Sequence, residues 1–390
     1  MTMALLGGLF AATTLQAQVN IYICGSTAFR ASAWRSITNL YGSGLVAQNP
    51  GGIANTNNSG ATLCTLTGTM AALGGQTVNV YLSWNGSAQG VHNLTHNDNI
   101  LFLTNDFAND TAATNADVLH TPDISFSDVY QITTPYTTPS LVDTNVAVLP
   151  FTWVRSANAP TTLANLTSQQ YHASIANGFN ELSLFTGNNN DDATNIFFCG
   201  RNKDSGSRLV AIADSNATGS PNVYQVVGGL WTLYSTSFSA NGVNYGTGFT
   251  SGGSEAATLT NLASNGYAVG YEGYSDARTV VAGNGQIIAY NGQFPFNGWS
   301  AAANGGTLPV FPDFTPIFKG QYSLWSYEHM FVRSTASSPI PTFYSAMVPA
   351  VDNDLSNVEA NASSSLPVIG IRLSEMKVIR TADGGPITTP

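Results

Sequence analysis

The chain has 390 residues, of which 43% are hydrophobic and only 9% are charged. An average soluble protein has roughly 25% charged residues, so this surface is polar but weakly charged, as suits an exported protein better than a cytosolic one. The net charge of -10, with only 12 Lys and Arg residues, argues against nucleic-acid binding through phosphate neutralisation. An anion site here must rely on local donors rather than on the overall field.

Residues 1–17 resemble a signal peptide. An apolar stretch from Leu5 to Ala12 precedes Leu15-Gln16-Ala17, which resembles a cleavage site. A basic segment before the apolar stretch is missing, so a buried N-terminal helix is the alternative. Cleavage would make the protein periplasmic, extracellular or attached to the cell surface. No later stretch reaches the roughly 20 apolar residues of a membrane span, so none is expected in the mature chain.

Strand-like and helical patterns alternate along the rest of the chain. Runs of β-branched and aromatic residues predict strands at 19–25, 78–84, 123–130, 146–155, 195–201, 267–273 and 322–333. Helical spacing follows the first strand, begins again at Ser87, and recurs over 207–215. This alternation favours an α/β fold with mainly parallel sheets. Surface loops are expected in the Asn-, Gly-, Thr- and Ser-rich stretches 44–62, 104–118, 186–194 and 236–256.

The cysteine and histidine residues give little indication of a disulfide framework or a metal site. Three cysteines, Cys24, Cys64 and Cys199, are an odd number, which argues against a disulfide framework. Buried thiols are the expectation, with a Cys24–Cys199 bridge as the alternative. His92 and His96 lie four residues apart without a third ligand nearby, so neither a metal site nor a cofactor is expected.

Four short segments place hydroxyl groups or glycine where a predicted strand ends and a helix or turn begins. They are 25–29, 86–90, 125–128 and 201–207. Ligands of open α/β sheets bind beyond the carboxyl ends of the strands, and a helix N-terminus there attracts anions. The fork of Arg201 matches two oxygens of a tetrahedral oxyanion. Any single segment could be a simple helix cap, but their joint occurrence predicts an oxyanion site.

These segments resemble the periplasmic phosphate-binding proteins of ABC transporters, which have the type II periplasmic-binding-protein fold. The strongest match is the Arg-x-x-x-Ser-Gly-Thr/Ser signature, here Arg201 with Ser205-Gly206-Ser207. The turns at 25–29, 86–90 and 125–128, and the late strand segment 270–274, are similar to family segments in the same order. The resemblance covers most of residues 19–335 and is weak in the Asn-rich insertions.

The resemblance implies two α/β lobes, each a mainly parallel sheet flanked by helices, joined by two hinge crossings. Residues 18–147 plus 328–390 would form lobe one, and residues 148–327 lobe two. It also implies that inorganic phosphate, or a similar oxyanion, binds in the cleft for delivery to an ABC permease. No catalysis is expected, because no nucleophile elbow, Cys/His pair or two-metal carboxylate cluster occurs.

The resemblance also assigns roles to residues. Asp128 would accept a hydrogen bond from protonated phosphate and repel sulfate, which carries no proton; a turn or cap role is the alternative. The implied ligand-binding residues are Ser26, Thr27, Ala28, Phe29, Ser87, Asp128, Arg201, Ser205, Gly206 and Ser207.

Several alternatives stay open at this point. The turn 251–254 is either a further anion-facing turn or a flexible loop, and the tail after Arg380 is expected to be an ordered-to-frayed terminus. Tyr322, Trp325, Tyr327 and His329 are expected to pack in the core or hinge. The alternative function is a surface or filament-forming structural protein built on the same fold. Convergence of Arg201 with the hydroxyls and Asp128 would favour binding over that role.

Overall fold

The computed structural model describes residues 18–49, 52–54, 61–103, 118–240, 243–300, 306–363 and 366–390. The predicted signal peptide at 1–17 and nearly all of the predicted loop 104–118 lie outside these ranges. Among the described residues, no helix is both long and apolar enough to cross a membrane.

The described elements alternate much as the sequence predicts. The strands are β1 (Val19–Gly25), β2 (Tyr41–Asn49), β3 (Gly52–Ala54), β4 (Leu63–Met70), β5 (Gln76–Ser83), β6 (Ile100–Phe102), β7 (Val118–His120), β8 (Ile124–Ser127), β9 (Leu141–Arg155), β10 (Asn165–Leu166), β11 (Phe179–Glu181), β12 (Asn195–Phe198), β13 (Tyr224–Val227), β14 (Leu230–Leu233), β15 (Ser237–Ala240), β16 (Val243–Thr247), β17 (Tyr267–Gly273), β18 (Gln286–Tyr290) and β19 (Trp325–Arg333). The helices are α1 (Arg30–Thr38), α2 (Ser87–His96), α3 (Ser168–Ser174), α4 (Ser183–Thr186), α5 (Gly206–Asp214), α6 (Gly252–Leu259), α7 (Tyr274–Ala282), α8 (Thr315–Phe318) and α9 (Ile340–Asn361).

The first lobe is built around β1, which pairs in parallel with β5 on one side and β8 on the other. Its residues from Ile21 onward are buried whichever face they point to, as expected for a strand covered on both faces. Antiparallel β4, β2 and β3 extend the sheet beyond β5. Helices α1 and α2 follow β1 and β5, so both begin at the carboxyl ends of these strands.

The second lobe repeats this plan on a smaller scale. Its centre is the parallel pair of β12 and β17, with β11 antiparallel at the outer edge. On the inner side, β17 and β18 both pair antiparallel with the last residues of β9. Helix α5 follows β12 and α7 follows β17, so this lobe also turns helix starts toward the carboxyl ends of its parallel strands.

Two long strands connect the lobes. Strand β9 pairs with β19 over 141–150 and with β17 over 151–155. Strand β19 also pairs with β8 of the first lobe, so the whole forms one continuous 13-stranded sheet. The predicted α/β fold with two lobes and two crossings is confirmed, while the residue boundaries of the lobes stay a prediction.

Two of the stretches expected to be loops contain regular structure. Residues 44–62 include most of β2 and all of β3, and residues 236–256 include β15, β16 and the start of α6. These strands are short antiparallel pairs rich in Ser, Thr and Gly. Their stability comes from cross-strand pairing, which hydrophobic periodicity does not report.

Helix α9 packs on α1 of the first lobe through a buried ion pair. The Arg35 guanidinium donates to both carboxylate oxygens of Asp354, at 2.7 and 2.9 Å, and the Ser32 hydroxyl donates at 2.6 Å. The chain then returns to the crossings, where Ile371 and Val148 exchange backbone hydrogen bonds of 2.8 and 2.9 Å.

Candidate functional site

The turn after β1 brings Ser26 to the carboxyl end of the first-lobe sheet. Gly25 has φ 118°, and a side chain there would collide with the Phe126 carbonyl oxygen, so only glycine fits. The Ser26 amide donates to that oxygen at 2.8 Å. The Ser26 hydroxyl accepts the Phe29 amide at 3.0 Å and donates to Asp128 Oδ1. Asp128, which follows β8, is thereby held at the same edge.

The turn before α2 joins this edge to the second lobe. The Gly86 amide donates to the Gly25 carbonyl at 2.9 Å, and the Ala88 amide donates to the Asp204 carbonyl at 3.0 Å. The first turn of α2, including buried Ser87, therefore lies directly against the segment 201–207.

Arg201 reaches from the second lobe toward the first. Its side chain is buried, with Nε donating to the Phe249 carbonyl at 3.1 Å and Nη2 donating to the Thr250 carbonyl at 3.0 Å. Nη2 also donates to Thr27 Oγ1 of the first lobe at 3.1 Å. Nη1 has only a long contact of 3.5 Å to Ser207 Oγ, so it keeps the most donor capacity.

Gly206 is the closest approach between the lobes at this place. A Cβ atom on it would lie 2.6 Å from Ser87 Oγ and 2.7 Å from Asp128 Oδ2. Beside it, the hydroxyl oxygens of Ser205 and Ser207 are 2.9 Å apart. The structure thus brings the predicted hydroxyls, Asp128 and Arg201 together across the two lobes.

Three helices begin at this meeting point, and none has a side-chain cap. The N-cap residues of α1, α2 and α5 make no side-chain hydrogen bond, as is also true of α4, α7, α8 and α9, whereas α3 and α6 each have a complete capping box. The positive dipole ends of α1, α2 and α5 therefore lie at this place without a cap from their N-cap side chains.

Asp128 is a buried carboxyl in this otherwise donor-rich place. Burial raises its pKa, although hydrogen bonds from Ser26 and Ser87 and the charge of Arg201 oppose that shift. Asp128 Oδ1 accepts from Ser26, which leaves Oδ2 beside Gly206 and toward the second lobe.

Solved structures with a similar fold were found, while no family model and no curated protein matches the chain. A candidate phosphate ABC transporter substrate-binding protein with bound phosphate, from Clostridium perfringens, is 11% identical with a TM-score of 0.48, over 90% of this chain and 100% of that one. An ABC-type phosphate transport receptor from Vibrio cholerae is 14% identical with a TM-score of 0.47, over 88% and 98%. A candidate phosphate binding protein from Planctomyces limnophilus is 13% identical with a TM-score of 0.44, over 92% and 95%.

The chain has a type II periplasmic-binding-protein fold. Its two lobes are each centred on parallel strands, and the strands β9 and β19 cross between them. The fold alone does not identify the ligand, because the ligand depends on the side chains at the site of each protein.

Two of the predicted binding residues do not turn side chains toward Arg201. The Phe29 ring is fully buried in the core against Phe126, at 5.8 Å between ring centroids, and its amide is bonded to Ser26. Ala28 lines a separate cavity of about 20 Å³ with Phe151 and Asp276. The other predicted residues lie at the meeting point described above.

Sequence reasoning missed Glu328, which lies on β19 beside Asp128. Its side chain is fully buried, and neither carboxyl oxygen has a hydrogen-bond partner in the described part of the chain. Burial and the neighbouring Asp128 carboxyl hold its pKa well above the ordinary value. The available signal was a lone acidic residue inside the apolar run 322–333, because such residues are rarely buried without a reason.

A second acidic set surrounds Arg201 on the other side. Gly252 lies so close to Asp276 that a side chain on it would collide with that carboxylate, and would come within 2.9 Å of Glu272 Oε2. Burial raises the pKa of Glu255 to about 8 and holds that of Glu272 well above its ordinary value, although the charge of Arg201 opposes both shifts. These shifts favour the neutral form of both side chains, which therefore offset the charge of Arg201 less than two carboxylates would.

This geometry revises the expectation for the turn 251–254. The turn is the capping box of α6, in which Ser251 Oγ accepts the Ser254 amide at 3.1 Å, so it is not an irregular loop. Gly252 of this turn adjoins the carboxyl groups of Glu272 and Asp276. The preceding Thr250 carbonyl accepts from Arg201 and so helps to orient it.

Cysteine and histidine side chains have structural surroundings. Cys24 and Cys199 are buried free thiols, so the alternative of a bridge between them is not realised. His92 Nδ1 lies 2.7 Å from Asp98 Oδ2, and its ring stacks on that of His96. In the parts of the chain that the structure describes, no group of three His, Cys, Asp or Glu side chains could hold a metal ion.

Proposed function

We propose that the chain is a solute-binding protein that holds inorganic phosphate, or a similar tetrahedral oxyanion, between its two lobes. The observation that carries this proposal is Arg201 Nη1, which keeps donor capacity where three helices without side-chain caps begin. Arg binds two oxygens of such an ion in one plane, while helix N-termini supply amides and positive potential. Ser87, Ser205 and Ser207 add hydroxyl donors from both lobes.

Binding would be coupled to lobe movement. Arg201 is only 4% exposed and Gly206 packs on Ser87 and Asp128, so an ion from solvent reaches the site only when the lobes separate. An ion that contacts donors of both lobes at once favours the closed arrangement. The crossings β9 and β19 are the segments about which the lobes would move.

Asp128 supplies the preference for phosphate in this proposal. Its Oδ2 faces Gly206, where it can accept a hydrogen bond from a protonated oxyanion. Sulfate has no proton to donate, so the two ions differ in one buried hydrogen bond and one buried repulsion. Delivery to an ABC permease from the periplasm or cell surface, without any chemical step, is the role that this site would serve.

The alternative of a purely structural surface protein has no specific support in the described residues. That alternative predicts scattered site residues or a cleft filled by an insertion. Arg201 instead contacts Thr27 of the other lobe, and Gly206 meets Ser87 and Asp128.

Calorimetric titration with phosphate, arsenate and sulfate tests the proposal. Wild-type protein should bind phosphate, and Arg201→Met should weaken binding by at least about tenfold, since a charged hydrogen bond contributes about 1.5–3 kcal/mol. Arg278→Met, on the outer surface of α7, is the matched control and should bind as the wild type does. If the wild type binds none of the three ions, the proposed function is wrong.

A further inference from the structure

Glu328 and Asp128 face each other across two paired strands. The antiparallel register of β19 and β8 pairs Met330 with Phe126 and His329 with Ser127. The next residues along the two chains, Glu328 and Asp128, have adjoining carboxyl groups. The proposed oxyanion site therefore has two carboxyl groups on the same wall.

Neither carboxyl has the surroundings that a lone buried charge requires. Asp128 is 2% exposed and Glu328 is 0% exposed, and both Glu328 oxygens are without a hydrogen-bond partner in the described residues. An unpaired buried charge costs several kcal/mol, and like charges beside each other add repulsion. One proton shared by the two carboxyls removes both costs.

The charged neighbours of the pair are few. Asp128 faces Arg201 across the cleft, and Glu328 faces Asp128 with the Ser26 hydroxyl beside them. The next residue on β19, His329, points to the opposite face of the sheet, where Nδ1 lies 2.8 Å from Asp143 Oδ1. The second acidic set, Glu255, Glu272 and Asp276, adjoins Arg201 on the side of the second lobe.

We propose that Glu328 is a specificity-determining residue, because it shares one proton with Asp128. This sharing determines whether an oxyanion binds with its own proton or requires a further proton from the solvent. This inference rests on the proposed function. An ion with its own proton, such as monohydrogen phosphate, donates that proton to Asp128 Oδ2 and needs no other. Sulfate has none, so it binds only when the pair takes a second proton from the solvent and Asp128 becomes the donor.

Calorimetry at about pH 8, in buffers of different ionisation enthalpy, counts these protons. Sulfate should take up about one proton and monohydrogen phosphate far less, and sulfate affinity should rise up to about tenfold for each unit that the pH falls. In Glu328→Gln no proton is shared and the amide donates to Asp128, which stabilises the Asp128 carboxylate, so Asp128 takes up the proton that sulfate requires less readily. Sulfate binding should then weaken at least about tenfold more than phosphate binding, on the scale of 1.4 kcal/mol per tenfold change. Glu181→Gln, on an exposed edge strand, is the matched control.

Infrared spectroscopy of the unliganded protein tests the shared proton without any ligand. Besides any bands of protonated Glu255 and Glu272, wild type should show at neutral pH the carbonyl stretch of a buried protonated carboxyl group that Glu328→Gln and, as a second variant, Asp128→Asn both remove and Glu181→Gln does not. A spectrum that neither variant changes in this region, or sulfate binding without proton uptake, would overturn the inference. Failure of every ion to bind, with the band present, would instead reject the proposed function and leave the carboxyl pair standing.

Discussion

Arg201 lies near four acidic side chains, yet at neutral pH its charge is only partly offset. Asp128, with Glu328 beside it, lies on one side of Arg201, and Glu255, Glu272 and Asp276 lie on the other. Were all five carboxyl groups ionised, the site would repel an anion strongly. Burial opposes ionisation by disfavouring the charged form of each carboxyl. Burial of these carboxyl groups therefore costs folding free energy, and it also reduces the negative charge around Arg201.

Glu255→Gln tests this at a single residue. The folded pKa of Glu255 is about 8 against an ordinary 4.5, so between those values the folded chain binds more protons than the unfolded chain. Stability should therefore be greatest toward the acid end of that window and should fall as the pH rises toward about 8. Gln does not ionise, so the variant should lose less stability over the same range.

Thermal unfolding midpoints measured from about pH 5 to about pH 9 give the change of stability with pH for the wild type and for Glu255→Gln. Glu181→Gln, which changes an exposed carboxylate, should keep the wild-type slope. A wild-type midpoint that rises with pH, or an unchanged slope in Glu255→Gln, would contradict the assigned protonation.

Some residues of the site can be predicted from a short sequence motif, whereas others depend on contacts between distant segments of the chain. Arg201, Ser205, Gly206 and Ser207 form one short motif, so the sequence predicts them together. Glu328 meets Asp128 only through the register of β19 with β8, which no local pattern encodes. Such residues are detectable beforehand only as lone acids in apolar runs.

At the scale of elements, α5 must begin with a residue that has no side chain. Gly206 is the first residue of α5, and its Cα packs against Ser87 of α2 and Asp128 after β8. Gly253 occupies a comparable first-turn place in α6, but a Cβ there would be 3.8 Å from its nearest neighbour, Asp276 Oδ1, which is ordinary contact. Both glycines therefore lie in the first turn of a helix, but only Gly206 has no room for a side chain.

Gly206→Ala should push α5 away from the first lobe without weakening the helix, since Ala is the better helix former. Overpacking of this kind costs about 1–3 kcal/mol, so we expect phosphate affinity to fall by about tenfold. Gly253→Ala is the control and should bind as the wild type does. Calorimetry measures the affinity, and equal affinities of the two variants would show that α5 does not need this close approach.

The elements best predicted from the sequence are strands whose burial in the hydrophobic core is visible in their amino-acid pattern. The predicted limits of β1 and β17 agree with the structure, because both strands are buried on both faces and read as continuous apolar runs. Strand β4, whose buried and polar residues are mixed, was not predicted at all. Its place depends on pairing with β5 along its full length.

At the scale of the whole molecule, the C-terminal segment, residues 380–390, contacts both lobes. In the first lobe, Asp383 accepts the Tyr130 amide at 2.9 Å and the Thr133 hydroxyl at 2.6 Å. In the second, Gly384 packs so closely on Ala213, near the end of α5, that a side chain on it would collide with the Ala213 carbonyl. The tail after Arg380 was expected to be an ordered-to-frayed terminus, and composition gave no sign of these contacts.

Helix α5 thus begins at the proposed oxyanion site, and its last turn packs against the C-terminal segment. Separation of the lobes would have to break either the bonds to Asp383 or the packing at Ala213. The segment should therefore act as a brace that slows opening, and with it the release of a bound ion.

Asp383→Ala removes the bonds from the Tyr130 amide and the Thr133 hydroxyl and leaves the bond from the Tyr130 hydroxyl to the Arg380 carbonyl. A hydrogen bond to a charged acceptor contributes about 1.5–3 kcal/mol. Phosphate should dissociate at least about tenfold faster, as stopped-flow displacement would show, and amides of residues 376–390 should exchange hydrogen faster. Asp191→Ala, which removes a local bond from Thr186 at 2.6 Å, should change neither rate. If Asp383→Ala speeds hydrogen exchange but leaves dissociation unchanged, the segment loosens without limiting release, and opening is governed by the crossings β9 and β19 alone.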